Sequence, residues 1–192
     1  MKNFFVQCFF TFLVLSLSIR AVFAFEQEHE AHEHGHATLM LVQEENELQL
    51  LFKSPAMNIT GFEHEASTPE QLAKIEWAQQ SLSDAPRLFM LSPEANCVLE
   101  HINIESALLA SKHHSGEHDS HAKHETSIEK KDSHSEFEAE YHFECKNIGA
   151  LKEIKVALFK IFTSLEEIEM QIINDAGQML QELDRNNTSI KL

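Results

Sequence analysis

The chain has 192 residues, with 31 aspartates and glutamates against 15 lysines and arginines, and a formal net charge of −16. That balance argues against nucleic acid and anionic membrane surfaces as partners, since both are bound through basic patches, and it suits the attraction of cations. The length fits one domain, or one domain plus a tail.

Residues 1–24 read as a signal peptide: Lys2 is a positive start, Phe4 to Ile19 an apolar run, and Val22-Phe23-Ala24 a small-residue cleavage site. The run is near the ~18-residue lower bound for a membrane span, so an uncleaved anchor is the alternative. No lipoprotein box surrounds Cys8. The expected mature chain, 25–192, is exported as a single domain with no membrane insertion after cleavage. It carries 13 basic and 31 acidic side chains, a net charge of −18.

The mature chain opens with a His/Glu tract containing His29, His32, His34 and His36. Ala37 to Gln43 and Glu47 to Ser54 then read as two strands of a β-hairpin around a polar turn at Glu44-Glu45-Asn46. Pro55 ends the second strand, and Asn58 to Gly61 looks like an irregular connection. Thr68-Pro69-Glu70-Gln71 is a capping-box helix start, followed by Leu72, Ile75, Trp77/Ala78 and Leu82 at helical spacing to about Ser83. Asp84-Ala85-Pro86 stops this main helix. Arg87 to Leu91 is a short apolar strand or turn.

Cys97 to Leu108 reads as a strand with one break in its alternation. Residues 137–145 alternate strictly, with Phe137, Ala139, Tyr141, Phe143 and Cys145 on one face and Glu138, Glu140, His142 and Glu144 on the other. Ile154 to Leu158 and Glu167 to Ile173 are strand candidates around a turn, in competition with one continuous helix from Leu151 to Ile173. A turn and a weak final strand complete the chain. The fold class expected is α+β: a mostly antiparallel β domain with one main helix.

Between the strands ending near Leu108 and beginning at Phe137 lies a segment that cannot bury a core. Residues 111–134 contain His113, His114, His118, His121, His124 and His134 among Ser, Gly, Glu, Asp and Lys, with Ile128 the only apolar residue larger than alanine. A flexible, disordered His-rich insertion is expected, and tracts of this kind bind metal because neutral imidazole is a common zinc ligand. A polar insertion that drifted into histidine richness is the plain alternative. Cys97 and Cys145 flank the insertion. In an exported protein the expected pairing is a disulfide at its base; two thiolate zinc ligands are the weaker alternative.

His32-Glu33-His34-Gly35-His36 formally matches the His-Glu-x-x-His motif of zinc proteases. That motif works on a helix, and Gly35 followed by a strand contradicts one. If the tract is extended, His32, His34 and His36 lie on one side. His64 precedes the helix cap between Glu63 and Glu65, which could orient its ring. His101 and His142 read as solvated strand residues. No phosphate loop or nucleophile elbow is present, and no enzyme is expected.

Three stretches together carry a resemblance: His32 to Gly35 running into a strand, Ser54-Pro55-Ala56-Met57-Asn58-Ile59-Thr60-Gly61-Phe62-Glu63-His64, and His134-x-x-Phe137-x-x-x-Tyr141-x-Phe143-x-Cys145. The chain resembles the zinc-regulated periplasmic proteins of Gram-negative bacteria, the Zrg type, from His32 to about Gln178. The resemblance implies zinc binding in the periplasm and zinc acquisition through an ABC importer. It points to His32, His34, His64 and His134 as the matching histidines. His36 departs from the pattern, and the loop histidines match only in kind.

The function expected is capture of Zn2+ through clustered histidines and its supply to components of a zinc ABC importer. Other divalent transition metals would bind the same imidazoles, with copper and nickel competing by the Irving–Williams order. Affinity should fall as pH drops through about 6.5, because an imidazole must lose its proton to bind. The alternatives are an exported metal buffer or pH- and metal-sensing adaptor without a delivery role, and a zinc-dependent hydrolase.

Overall fold

The computed structural model describes residues 33–110 and 135–192. The expected signal peptide (1–24) and the insertion (111–134) lie outside the described residues. His36–Glu44 (β1) and Glu47–Pro55 (β2) form the expected hairpin, with Glu44 opposite Glu47 across the turn. Glu45 takes a left-handed φ of 50° there. Ala37, Leu39 and Leu41 of β1 and Leu48, Leu50 and Phe52 of β2 are buried, so the period-2 pattern sends one face of each strand into the core.

Beyond Pro55 the structure corrects the sequence reading. Instead of an irregular connection, Ala56–Thr60 is a short helix (α1), ended by Gly61 in the left-handed conformation at φ 84°. Five residues are too few to show a helical period. Ala56 N–H donates to Ser135 O at 2.8 Å and Thr60 Oγ1 donates to Ala56 O at 3.0 Å, so tertiary and side-chain bonds hold the turn.

The main helix, Pro69–Ser83 (α2), starts on the predicted capping box. Thr68 Oγ1 accepts from Gln71 N, and Gln71 Oε1 accepts from Thr68 N, each at 3.2 Å. Ile75, Ala78 and Leu82 are its buried stripe, while Leu72 and Trp77 remain 42% and 45% exposed. Trp77 lies edge-on against Phe162, with ring centres 5.6 Å apart. Ala85–Leu88 (α3) is one further helical turn, and Phe89–Leu91 (β3) a short strand.

Cys97–Glu105 (β4) ends earlier than expected; Ala107–Ala110 (α4) is a helical turn. Glu136–Cys145 (β5) is the strand its alternation predicted. The continuous-helix alternative fails, because Glu153–Val156 (β6), Leu158–Ile161 (α5) and Glu167–Asn174 (β7) are separate elements. The tail holds two strands rather than one, Gly177–Asp184 (β8) and Ser189–Lys191 (β9).

Among the described residues the strands make a six-stranded sheet ordered β4-β5-β2-β1-β7-β8 and a three-stranded sheet ordered β3-β6-β9. All strand pairs are antiparallel except β1 with β7, which run parallel from His36↔Glu167 to Val42↔Ile173. The fold is α+β and mostly antiparallel, with few helices, as expected. Phe137, Ala139, Tyr141 and Phe143 of β5 and Ile168, Met170 and Ile172 of β7 complete the apolar face over which α2 and Phe89 pack. No helix of the described residues is long and apolar enough to cross a membrane.

Cys97 and Cys145 stand opposite each other where β4 begins and β5 ends, and they are joined by a disulfide. The bond closes a loop that contains the whole insertion. Its reduction should cost about 4 kcal/mol in the chain-entropy account, read as a lower urea midpoint in the presence of reductant.

Tyr141, at the centre of the core, donates its phenol to Leu82 O at 2.8 Å and meets the Phe89 ring edge-on. Burial pushes its pKa far above the ordinary value of 10.0, because a phenolate there would lose its hydration. The unfolded chain ionises first as pH rises, so this group's stabilising contribution is intact below pH 10 and is lost above it. Tyr141→Phe should cost about 1 to 1.5 kcal/mol at neutral pH and flatten the alkaline fall in stability. Urea denaturation across pH 7 to 11 reads both effects.

Candidate metal centre

Four chain segments meet at one end of the six-stranded sheet: the start of β1, the end of β2 with α1, the start of β5 and the start of β7. The register requires it, since Thr38 pairs with Lys53, Pro55 with Glu136, and His36 with Glu167. Asn58 of α1, 3% exposed, ties the first two of these segments together. Its Oδ1 accepts from Gly35 N at 2.7 Å, and its Nδ2 donates to His36 O at 2.8 Å and to Ser54 Oγ at 3.1 Å. The same α1 holds Ser135, immediately after His134, through the Ala56 N–H bond. Gly35 O accepts from Glu166 N at 2.8 Å and Glu167 N at 3.1 Å, which fixes β7 against the same turn.

Gly35 makes that turn with φ 91°, a conformation that side chains disfavour, and a Cβ there would stand 3.3 Å from the Glu166 side chain. The turn bears on both sequence readings of this tract. Residues 33–36 are not helical, so the His-Glu-x-x-His match has no helix to work on. Residues 33–36 are not extended either, and His34 and His36 reach different partners. His34 Nε2 lies 3.4 Å from Glu63 Oε1, whose side chain is only 11% exposed. His36 Nδ1 lies 3.4 Å from Glu167 Oε1, with Glu33 Oε1 3.8 Å from its Nε2.

His64 is exposed, and its ring is oriented by groups other than the flanking carboxylates. Its Nδ1 meets Glu65 O at 2.9 Å, its Nε2 faces Gln71 Nε2 at 3.5 Å, and its ring packs 5.2 Å from that of Phe62. Gln71 Oε1 is already committed to the N–H groups of Ser67 and Thr68, so the Gln71 group turned to His64 is its NH2 donor. A donor there requires a lone pair on His64 Nε2, which places the ring proton on Nδ1, toward Glu65 O. That is the tautomer in which Nε2 can take a metal.

A cleft of about 410 Å³ opens beside this sheet end, lined by Glu105, Ser106, Ala107, Ser135, Glu136 and Glu138. It lies where the chain leaves for the insertion and returns from it. Carboxylates thus surround the sheet end on both sides.

Of the expected metal residues, His34, His36 and His64 are described and stand at this end of the sheet. His32, His134 and the loop histidines His113, His114, His118, His121 and His124 lie outside the described residues. Among the described residues no three His, Cys, Asp or Glu side chains are grouped closely enough to hold an ion by themselves. The sequence reading missed Asn58, Gln71 and Glu167 as orienting groups. Gln71 was legible as a cap, but its second role toward His64 appears only once the loop is folded.

The geometry defines an α+β sheet protein that gathers imidazoles and carboxylates, each ring set by a neighbouring polar group, at one sheet end. The chain belongs to the ZrgA family of zinc uptake proteins, whose family model matches residues 31–192. No curated protein matches the chain.

Asn58→Ala would leave the Gly35 N–H and His36 carbonyl without their buried partner. It should lower stability by about 2 to 4 kcal/mol by urea denaturation, and it should weaken zinc binding by releasing the 33–36 turn.

Proposed function

We infer that residues 25–192 form an exported zinc-binding protein that captures Zn2+ in the periplasm and supplies it to a zinc ABC importer. The family it belongs to is described by zinc uptake, a role in which the metal is cargo and the protein need not be an enzyme. The observation that carries the reading is the convergence at the sheet end. Residues 33–36, residues 58–64 and Ser135 are held there together, and they include or adjoin each of His32, His34, His64 and His134.

In this reading those four histidines supply nitrogen ligands at about 2.0–2.1 Å. Glu63 beside His34 and Gln71 beside His64 orient the rings, and His36 is an auxiliary. The loop histidines His113, His114, His118, His121 and His124 add weaker sites that raise the local concentration of ligands. The net negative charge speeds the approach of a cation, an effect that salt would screen.

Calorimetric titration of the mature chain with zinc, beside a variant lacking residues 111–129, tests this. The variant should keep one tight site and lose only weak ones, and His34→Ala with His64→Ala should abolish the tight site. Loss of tight binding on deletion alone would make the insertion the site. A null strain complemented with the intact gene should regain growth on zinc-depleted medium. Tight binding without such rescue would favour a metal buffer or sensor.

A further inference from the structure

We propose that His101 and His142 form a second, solvent-open site for a divalent transition metal on the polar face of the six-stranded sheet. The observation begins with the break in the alternation of β4. Leu99 pairs with Phe143, but the next residue of β5, His142, pairs with His101, so Glu100 is an extra residue in β4. A β-bulge of this kind re-aims the side chains that follow it. Without it the register would set Glu100 against His142. With it, Glu100 and His101 are both exposed, Ile102 turns inward, and His101 stands directly across from His142.

The two rings lie with centres 6.1 Å apart and planes at 73°. Two imidazoles on one tetrahedral zinc, with Zn–N of about 2.0–2.1 Å, have ring centres roughly 5 Å apart. A side-chain rotation on the surface closes that difference. Glu140 Oε1 lies 2.9 Å from His142 Nε2. A carboxylate accepting from one ring nitrogen leaves the other with its lone pair and makes the ring a better ligand. His142 is about one-third exposed at its side chain, and β4 is an edge strand, so the pair is open to solvent. Among the described residues no third His, Cys, Asp or Glu side chain is placed to close a cage. Water therefore fills the remaining positions, and binding is weaker than at a four-ligand centre.

His142 is six residues along β5 from Glu136, a distance of about 20 Å at strand rise, so this site is separate from the sheet end. The disulfide between Cys97 and Cys145 holds the same two strands in register just beyond the bulge. It keeps the two histidines opposed when no metal is present.

Imidazole NMR on the mature full chain, titrated with Zn2+ alone, tests the proposal. After the tight sites saturate, the His101 and His142 ring signals should move together with one apparent affinity. His101→Ala should abolish the His142 response, and His101→Gln should do the same; both change an exposed residue of an edge strand and should leave the amide spectrum of the core unaltered. Glu140→Gln should weaken the apparent affinity about tenfold. Ring signals that stay still at millimolar zinc, or a His142 response that survives both substitutions at His101, would overturn the proposal. The signals of His34 and His64 are read in the same titration, so the two sites stand or fall separately.

Discussion

The sheet end depends on one buried side-chain amide. Asn58 accepts from Gly35 N through its Oδ1 and donates through its Nδ2 to His36 O and Ser54 Oγ, joining the turn before β1, the first residue of β1 and the end of β2. A buried amide is stabilising only when its donors and acceptors are matched, and an amide so matched permits one arrangement of its neighbours. Any shift of the 33–36 turn relative to α1 would strand a buried polar group. The positions of His34 and His36 therefore follow from hydrogen bonds that the backbone at Gly35 and His36 makes to a side chain distant in sequence.

The same logic extends outward. His34 is backed by Glu63, His36 by Glu167, His64 by Gln71 and Glu65, and each backing group is itself set by a strand start, a helix cap or a loop turn. Ligands borne by short loops gain precision when regular elements hold both ends of those loops. The core supplies that rigidity through one apolar face of the sheet, while the opposite face mixes charged and polar side chains with Met40, Val42, Leu51 and Ile173. Near the bulge, Val98 is a further apolar residue on that face, at 52% exposed.

Much of this was legible where the signal was local. The hairpin, the capping box of α2, the alternation of β5 and the pairing of Cys97 with Cys145 all follow from residues close in sequence or from elimination. The break in β4 was visible too, but its meaning was not: only pairing with β5 shows that it brings His101 to His142. α1 was hidden because five residues carry no period and its stability comes from Ser135 and Asn58. β8 was hidden because Gln178, Met179 and Leu180 are all exposed in an edge strand, so no buried face wrote an alternation into the sequence. The ring partner Glu167 is contributed across the fold, and charge richness alone could not single it out among 31 acidic side chains. The insertion's histidines and His32 and His134 lie outside the described residues, so their expected roles rest on the sequence.

The parallel pairing of β1 with β7 has a consequence for how the chain assembles. His36 finds Glu167, and the Gly35 carbonyl finds its donors at Glu166 and Glu167, only when nearly the whole chain is available. Contacts of such long sequence separation form late, because the loop between them must be ordered before they contribute. The hairpin can form early from its own turn, yet its leading histidines stay loose until β7 docks. An unfinished or partly folded chain would thus present these imidazoles scattered, and the zinc capture proposed for them would be a property of the completed fold.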